Sequence, residues 1–299
     1  MNFPSDLIKG NIVLGERLGR HTSFRIGGPA AVWAHPKGVK ELKRIVIFAG
    51  KNRIPAFVIG GGTNVLARDE GFDGIVIHLG SSAFKNISIS GTTIRAGAGY
   101  SVPLLVRLCC NEGLSGLESL IGIPGTIGGA VFMNAGGWSS PLYKNIGDYV
   151  TSLQVMDNKG NIKTLKKEAL SFGYKSSNLS AYIILEACLE LGREDVSALK
   201  SRCSKFLKMK KDKQVLDKFS AGCVFKNPKG FQFTAGQMID MLGLKGCAVG
   251  GAQVSDKHAN FIINRGRASC EDVLMLVDMI RKKAMDNYNV SLELEIKVI

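Results

Sequence analysis

No two of the seven cysteines in this 299-residue chain stand in a CxxC spacing, and their number is odd. Most sit in apolar runs, so the sequence argues for buried reduced thiols rather than a disulfide framework or a thiolate metal site. No apolar run approaches the ~18 residues that a membrane span requires. The first ten residues, MNFPSDLIKG, lack a basic region followed by an apolar core, so no secretory leader is expected and a cytoplasmic protein is. Tryptophan is scarce, with two copies far apart, and no interleaving of aromatic and basic residues suggests a stacking platform for nucleic acid. Acidic residues are also in deficit. Against 25 Asp and Glu stand 39 Lys and Arg, a formal charge of +14. Such an excess suits a polyanionic ligand as well as it suits nucleic acid. Its densest stretch, KFLKMKKDK (205–213), ends a helix-like segment, where a basic run is most often a solvated face.

Glycine is in excess, 36 of 299 residues against the roughly 7% of an average chain, and it is concentrated in short loops between apolar runs. The chain is long enough for two or three modest domains. Apolar spacing predicts helices over 39–50 and 102–112, and PAFVIG (55–60) and GIVIHL (74–79) read as strands. NISIS-G-TTIRAG (86–97) alternates around a glycine and reads as a hairpin, as does 149–165 around Asn158-Lys159-Gly160. YIILEACLEL (182–191) is a strand and a basic helix follows at about 194–211. The last ninety residues form a separate unit with a helix near 234–242, strands at 248–254 and 260–264, a helix at 270–286 opened by Ser269, and a closing strand VSLELEIKVI. Without strict βαβ alternation the expected class is α+β.

Two glycine-rich loops carry the chemical signal. VIGGGTNVL (58–66) runs from a strand into three glycines, then Thr63 and Asn64. Glycine admits positive φ and close approach of a ligand, leaving successive N–H groups to face an anion. It is neither a Walker loop nor a GxGxxG fingerprint. GLESLIGIPGTIGGAVFMNAGG (116–137) sets two turns, Ile123-Pro124-Gly125-Thr126 and Ile127-Gly128-Gly129, in an apolar stretch. Two such loops suggest a clamp for the phosphates and rings of a nucleotide cofactor. In the C-terminal LELEI, alternation puts Glu293 and Glu295 on one face and does not choose between them.

These segments, with HTSFRIGGPA (21–30), FGYKSS (172–177), SAGCVFKNP (220–228) and GGAQVSDKHANFIIN (250–264), closely resemble the UDP-N-acetylenolpyruvoylglucosamine reductase family, in order and over nearly the whole chain. The length is similar to the compact form, which lacks an extra loop in the substrate domain. The resemblance implies a p-cresol-methylhydroxylase-type FAD-binding domain of two α+β subdomains, 1–80 and 81–195, and a substrate domain, 196–299. It implies non-covalent FAD, NADPH as reductant and a UDP-sugar enolpyruvyl ether as substrate, with no metal, no nucleic acid or membrane partner and a monomeric state.

Residue by residue, the resemblance implies that Gly60, Gly61, Gly62, Thr63 and Asn64 hold the FAD pyrophosphate. It runs Gly122, Ile123, Pro124, Gly125, Thr126, Gly128 and Gly129 along the flavin and adenosine. The family uses an Arg and a Glu to stabilise the developing enolate and a Ser to protonate carbon. This chain departs at two of those three positions: Lys175 stands for the Arg and Cys223 for the Ser, while the Glu corresponds to Glu295. Lysine keeps the charge and loses the planar fork. A thiol with an ordinary pKa of about 8.5 is neutral at pH 7 and more acidic than a hydroxyl, so it can donate a proton. Tyr174, Asn227, Gln214 and Lys211, with Lys213 as an alternative to Lys211, are the expected substrate contacts. His258 is read as structural. The competing readings are a basic binder of RNA or an acidic partner, carried by charge alone, and an inactive flavin-binding homologue, motivated by Lys175 and Cys223.

Overall fold

The computed structural model describes Pro4, residues 9–136 and residues 144–299. Gly137, the last residue of the second glycine-rich stretch, lies outside the described residues. The chain forms two compact units. The first comprises residues 1–14, 32–61 and 74–210; the second comprises 15–31, 62–73 and 211–299.

The two largest sheets of the described residues lie wholly or mostly in the first unit. A four-stranded sheet has the order 11–17, 29–35, 72–78, 56–59, with Ala56–Ile59 parallel to Phe72–His78. Helix α1 (Val39–Lys51) buries Leu42, Ile45, Val46 and Ala49, the i, i+3, i+4, i+7 face visible in the sequence. A five-stranded antiparallel sheet has the order 162–166, 150–157, 182–190, 93–97, 87–90. Its edge hairpin turns on Gly91-Thr92, with Gly91 at φ +61°. Helix α2 (Val102–Asn111) contributes Leu105, Val106, Cys109 and Cys110 to the core beside this sheet.

The stretch 116–137 is more regular than its composition suggests. Glu118–Leu120 forms one 3-10 turn and Ile127–Phe132 forms a short helix, α3. Its buried residues Ile127, Ala130 and Val131 hold it in place despite two glycines in its first turn. Helix α4 (Val196–Lys213) buries Leu199, Cys203 and Phe206 and passes out of the first unit after Lys210.

The second unit is built around α5 (Ala235–Met241) and α6 (Cys270–Tyr288), whose apolar faces pack with Phe24, Ile26, Leu66, Val224 and Phe225. Capping boxes open both helices, Thr234 with Gln237 and Ser269 with Asp272. Two expectations are corrected here. The strand expected over 248–254 is a hairpin, Ala248–Val249 and Ala252–Val254, because Gly250-Gly251 is a two-residue turn with Gly250 at φ +51°. The closing strand is interrupted by a bend at Ile296. Leu294 bridges to Phe225, and only Lys297–Val298 forms a ladder, parallel to Val65–Leu66.

Of the seven cysteines, none in a disulfide, Cys223 and Cys247 are half-buried and the rest buried. Among the described residues no helix is long and apolar enough to cross a membrane, and no cluster of three metal-ligating side chains occurs.

Candidate active site

In the first unit the two glycine-rich loops meet. An ideal Cβ on Gly60 would stand 2.3 Å from Thr126 Oγ1, so this close approach requires glycine. Thr126 is also the residue before α3 and bridges to Ser101. Val102 N–H donates to Gly125 O at 3.1 Å, and Gly128 N–H to Ala98 O at 2.8 Å, with Ala98 Cβ leaving no room for a side chain at 128. Gly129 differs. It is exposed, a Cβ there would make only an ordinary contact with Thr126, and no packing demands glycine. A bare backbone surface beside Thr126 is what a flat ligand lying on the loop would use. The exposed Gly61 and Pro124 border the same loops. Gly122 and Ile123 are half-buried: Ile123 N–H donates to Leu120 O, and the Gly122 carbonyl accepts from the Lys210 ammonium.

Tyr174 and Lys175 form the two-residue tip of a small hairpin, Phe172–Gly173 with Ser176–Ser177. Lys175 sits at φ +52°, a left-handed conformation uncommon outside glycine and asparagine, and is half-buried, while Tyr174 is exposed. The hairpin is fastened to the far end of α3. Ser177 Oγ donates to Phe132 O at 2.7 Å, and buried Asn134 donates to Gly173 O at 2.9 Å while accepting from Gly147 N–H. A six-residue helix thus has a glycine-rich loop at one end and the Lys175 hairpin at the other.

In the second unit Glu295 lies against the segment Cys223–Phe225. Glu295 N–H donates to Val224 O at 2.8 Å, and Phe225 bridges to Leu294. Cys223 bridges on its other side to Phe261. The structure therefore brings Cys223 and Glu295 onto neighbouring segments. Glu293 is instead exposed, its side chain 75% accessible and paired with Lys226 at 3.2 Å. Glu295 is half-buried.

Two asparagines organise this segment. Asn260, buried, clasps Phe225 by accepting its N–H at 2.9 Å and donating to its carbonyl at 2.8 Å. Asn64 donates its side-chain amide to Glu295 O at 3.0 Å and accepts Lys297 N–H on its own carbonyl. The first loop is anchored here as well. Gly62, at φ +61°, has no room for a Cβ against His21 O, and its carbonyl receives Ser23 N–H. Ser23 Oγ donates to Ser220 O at 2.7 Å, three residues before Cys223. Thr63 is half-buried beside these.

Asn227 accepts the N–H of Ala235, the first residue of α5, at 3.0 Å. Lys211 and Lys213 are exposed and Gln214 is half-buried. The Lys211 carbonyl accepts from Lys257 Nζ. His258 packs its ring against Phe261 at 4.8 Å, and burial, aided by the nearby Lys245 charge, holds its pKa below the ordinary value. Ser23, Asn134 and the clasp of Asn260 had no local signature. Each acts on main-chain groups far away in sequence.

Residues 214–299 match the family model for the C-terminal domain of UDP-N-acetylenolpyruvoylglucosamine reductase, and residues 29–166 match an FAD binding domain. The UDP-N-acetylenolpyruvoylglucosamine reductase of Caldanaerobacter subterraneus is 39% identical over 295 residues, 98% of this chain and 95% of that protein. That of Syntrophomonas wolfei is 39% identical over 299 residues, 99% and 96% respectively. The crystal structure of UDP-N-acetylenolpyruvylglucosamine reductase from Thermus caldophilus is similar with a TM-score of 0.82 and 36% identity, over 97% of this chain and 99% of that one. The 6-hydroxy-D-nicotine oxidase of Arthrobacter nicotinovorans shares the fold at a TM-score of 0.50 and 18% identity, over 64% of this chain and 44% of that one.

Proposed function

The chain belongs to the UDP-N-acetylenolpyruvoylglucosamine reductase family, and we propose that it performs the family's reduction with Lys175, Cys223 and Glu295 as its catalytic groups. The enzyme is an FAD-containing oxidoreductase of peptidoglycan-precursor synthesis, with NADPH as the reductant. Its substrate is UDP-N-acetylglucosamine enolpyruvate and its product UDP-N-acetylmuramate.

FAD, kept reduced by NADPH, supplies two electrons and one of the two hydrogens that saturate the enolpyruvyl double bond. Addition at the methylene carbon drives charge toward the substrate carboxylate. A preorganised positive charge lowers the energy of that state more than that of the ground state. The Lys175 ammonium provides it, and Glu295 shares the stabilisation of the enolate. The Cys223 thiol delivers its proton to the carbon next to the carboxylate, and the thiolate recovers a proton from solvent. The observation that carries this reading is the 2.8 Å bond from Glu295 N–H to Val224 O, which seats Glu295 one residue from Cys223.

Gly60, Gly61, Gly62, Thr63 and Asn64 are assigned to the cofactor pyrophosphate. Gly122, Ile123, Pro124, Gly125, Thr126, Gly128 and Gly129 are assigned to the flavin and adenosine, for which the bare surface at Gly129 and the meeting of Gly60 with Thr126 are suited. Tyr174, Lys211, Gln214 and Asn227 are assigned to the UDP-sugar, with 1–80 and 81–195 as the FAD-binding subdomains and 196–299 as the substrate domain. The positive charge then serves polyanionic small molecules rather than nucleic acid or membrane. The assignment carries with it a cytoplasmic, monomeric enzyme.

An anaerobic absorbance titration tests the reading. The flavin band should bleach on adding NADPH and return on adding UDP-N-acetylglucosamine enolpyruvate. Bleaching without return would leave a flavoprotein of this fold with another acceptor. Absence of flavin after incubation with FAD would defeat the assignment.

A further inference from the structure

Lys210 crosses the second glycine-rich loop at one of its glycines. Its Nζ donates to Gly122 O, and an ideal Cβ on Gly122 would stand 2.5 Å from Lys210 Cδ. The Lys210 stem thus occupies the space a Cβ at 122 would take, so a side chain there would have to push the lysine aside. Four residues earlier, Glu118 is buried at the head of the 3-10 turn. Its carboxylate accepts Gly116 N–H at 2.9 Å and Arg202 Nη2 at 3.1 Å. Arg202 and Lys210 are eight residues apart in α4, just over two turns, with buried Phe206 between them. One helix thus holds the entrance of the loop twice, once through a buried carboxylate and once through a main-chain carbonyl. The exit is held separately by Val102 N–H on Gly125 O and by Thr126 against Gly60.

We infer that Lys210 is a positioning residue for the cofactor, acting through the loop: its stem covers the α-carbon of Gly122 and its ammonium pins the Gly122 carbonyl, so that Ile123–Gly125 meet FAD as a preformed surface. The inference rests on the assignment of this loop to FAD. A loop ordered before binding does not have its conformational entropy charged against affinity. When the ammonium is removed the carbonyl is released, and the cofactor itself must order the loop. A methyl group at 122 has the same effect by another route, because it displaces the lysine stem and withdraws the ammonium.

The test is a set of FAD dissociation constants measured by flavin fluorescence on the full chain, with melting curves to establish folding. Lys210→Ala should weaken FAD on the order of tenfold, the scale of one charge-assisted hydrogen bond, and Lys210→Arg should restore most of it. Gly122→Ala should weaken FAD similarly, and the double variant should be no worse than either single change, since both remove one contact. Should Lys210→Ala fold poorly, Lys210→Met keeps the stem and removes only the charge. Undiminished FAD affinity in Lys210→Ala or Lys210→Met would overturn the inference. So would a double variant whose loss is the product of the two single losses, because glycine 122 would then serve the cofactor directly. An unchanged chain that binds no FAD would instead overturn the functional assignment, and this inference with it.

Discussion

The side-chain amide of Asn64 donates to the main-chain oxygen of Glu295 at 3.0 Å, across 231 positions of sequence. The residue that ends the first glycine-rich loop thereby holds the carbonyl of a proposed catalytic glutamate. A neighbouring main-chain bond, Lys297 N–H to Asn64 O, keeps the two segments in register. The side-chain bond fixes where Glu295 sits.

Asn64→Leu removes that donor and leaves the main-chain bond. The expected cost is about 1 kcal/mol of stability. Reoxidation of the flavin by the UDP-sugar should slow by more than bleaching by NADPH does. Equal loss in both half-reactions, followed by stopped-flow absorbance, would show that Asn64 serves the cofactor alone.

Cys223→Ala removes the proposed proton donor. NADPH should bleach the flavin at the normal rate, and recovery on adding the UDP-sugar should stall. Cys223→Ser should recover part of the rate, because a hydroxyl of similar size then stands at the same point. Rapid recovery in the alanine variant would exclude the thiol as donor.

Lys175→Arg restores a planar fork at the tip of the hairpin and makes no new demand on the left-handed backbone there. Turnover should be kept or raised, with the UDP-sugar KM unchanged or lower. A dead Lys175→Arg enzyme that still takes electrons from NADPH would mean that the surroundings have been rebuilt around an ammonium.

Asn260→Ala leaves both main-chain groups of Phe225 without their clasp in a buried place. The expected destabilisation is about 2–4 kcal/mol, read from the denaturant midpoint, because each unsatisfied buried group carries its own desolvation cost. Bound substrate should recover little of it. A change below the measurement error would show that solvent or relaxation satisfies Phe225.

His258 is held below the ordinary value of 6.5, first by burial and then by the Lys245 charge. The native state therefore keeps the ring neutral at pH values where the unfolded chain already binds a proton. Stability conferred by the neutral ring is present above pH 6.5 and is lost as pH falls from there toward the depressed native pKa. His258→Gln should flatten that acid slope of unfolding free energy. A slope identical to that of the unchanged chain would assign the acid sensitivity elsewhere.

The regular elements were legible because their signals are local. Leu42, Ile45, Val46 and Ala49 trace one helix face in sequence, and Gly91 marks its hairpin without any tertiary context. Ser269 and Asp272 announce the start of α6 within four residues. Local signals misled where two short strands lie end to end. VGGAQV reads as one strand until the Gly250-Gly251 turn is seen, and LELEIKV reads as continuous alternation across the bend at Ile296.

The sequence by itself determined the family, through motifs spread over nearly the whole chain, and with it FAD, the reductant and the class of substrate. It also named Cys223, Lys175 and Glu295 through their places in those motifs. Only the tertiary structure decided how they are held. Glu295 is half-buried with its N–H on Val224 O while Glu293 is exposed, and the need for glycine at 60 and 62 rests on Thr126 and His21. Those contacts join positions tens of residues apart. Composition and periodicity report a residue's neighbours along the chain, whereas excluded volume and hydrogen bonding act between neighbours in space.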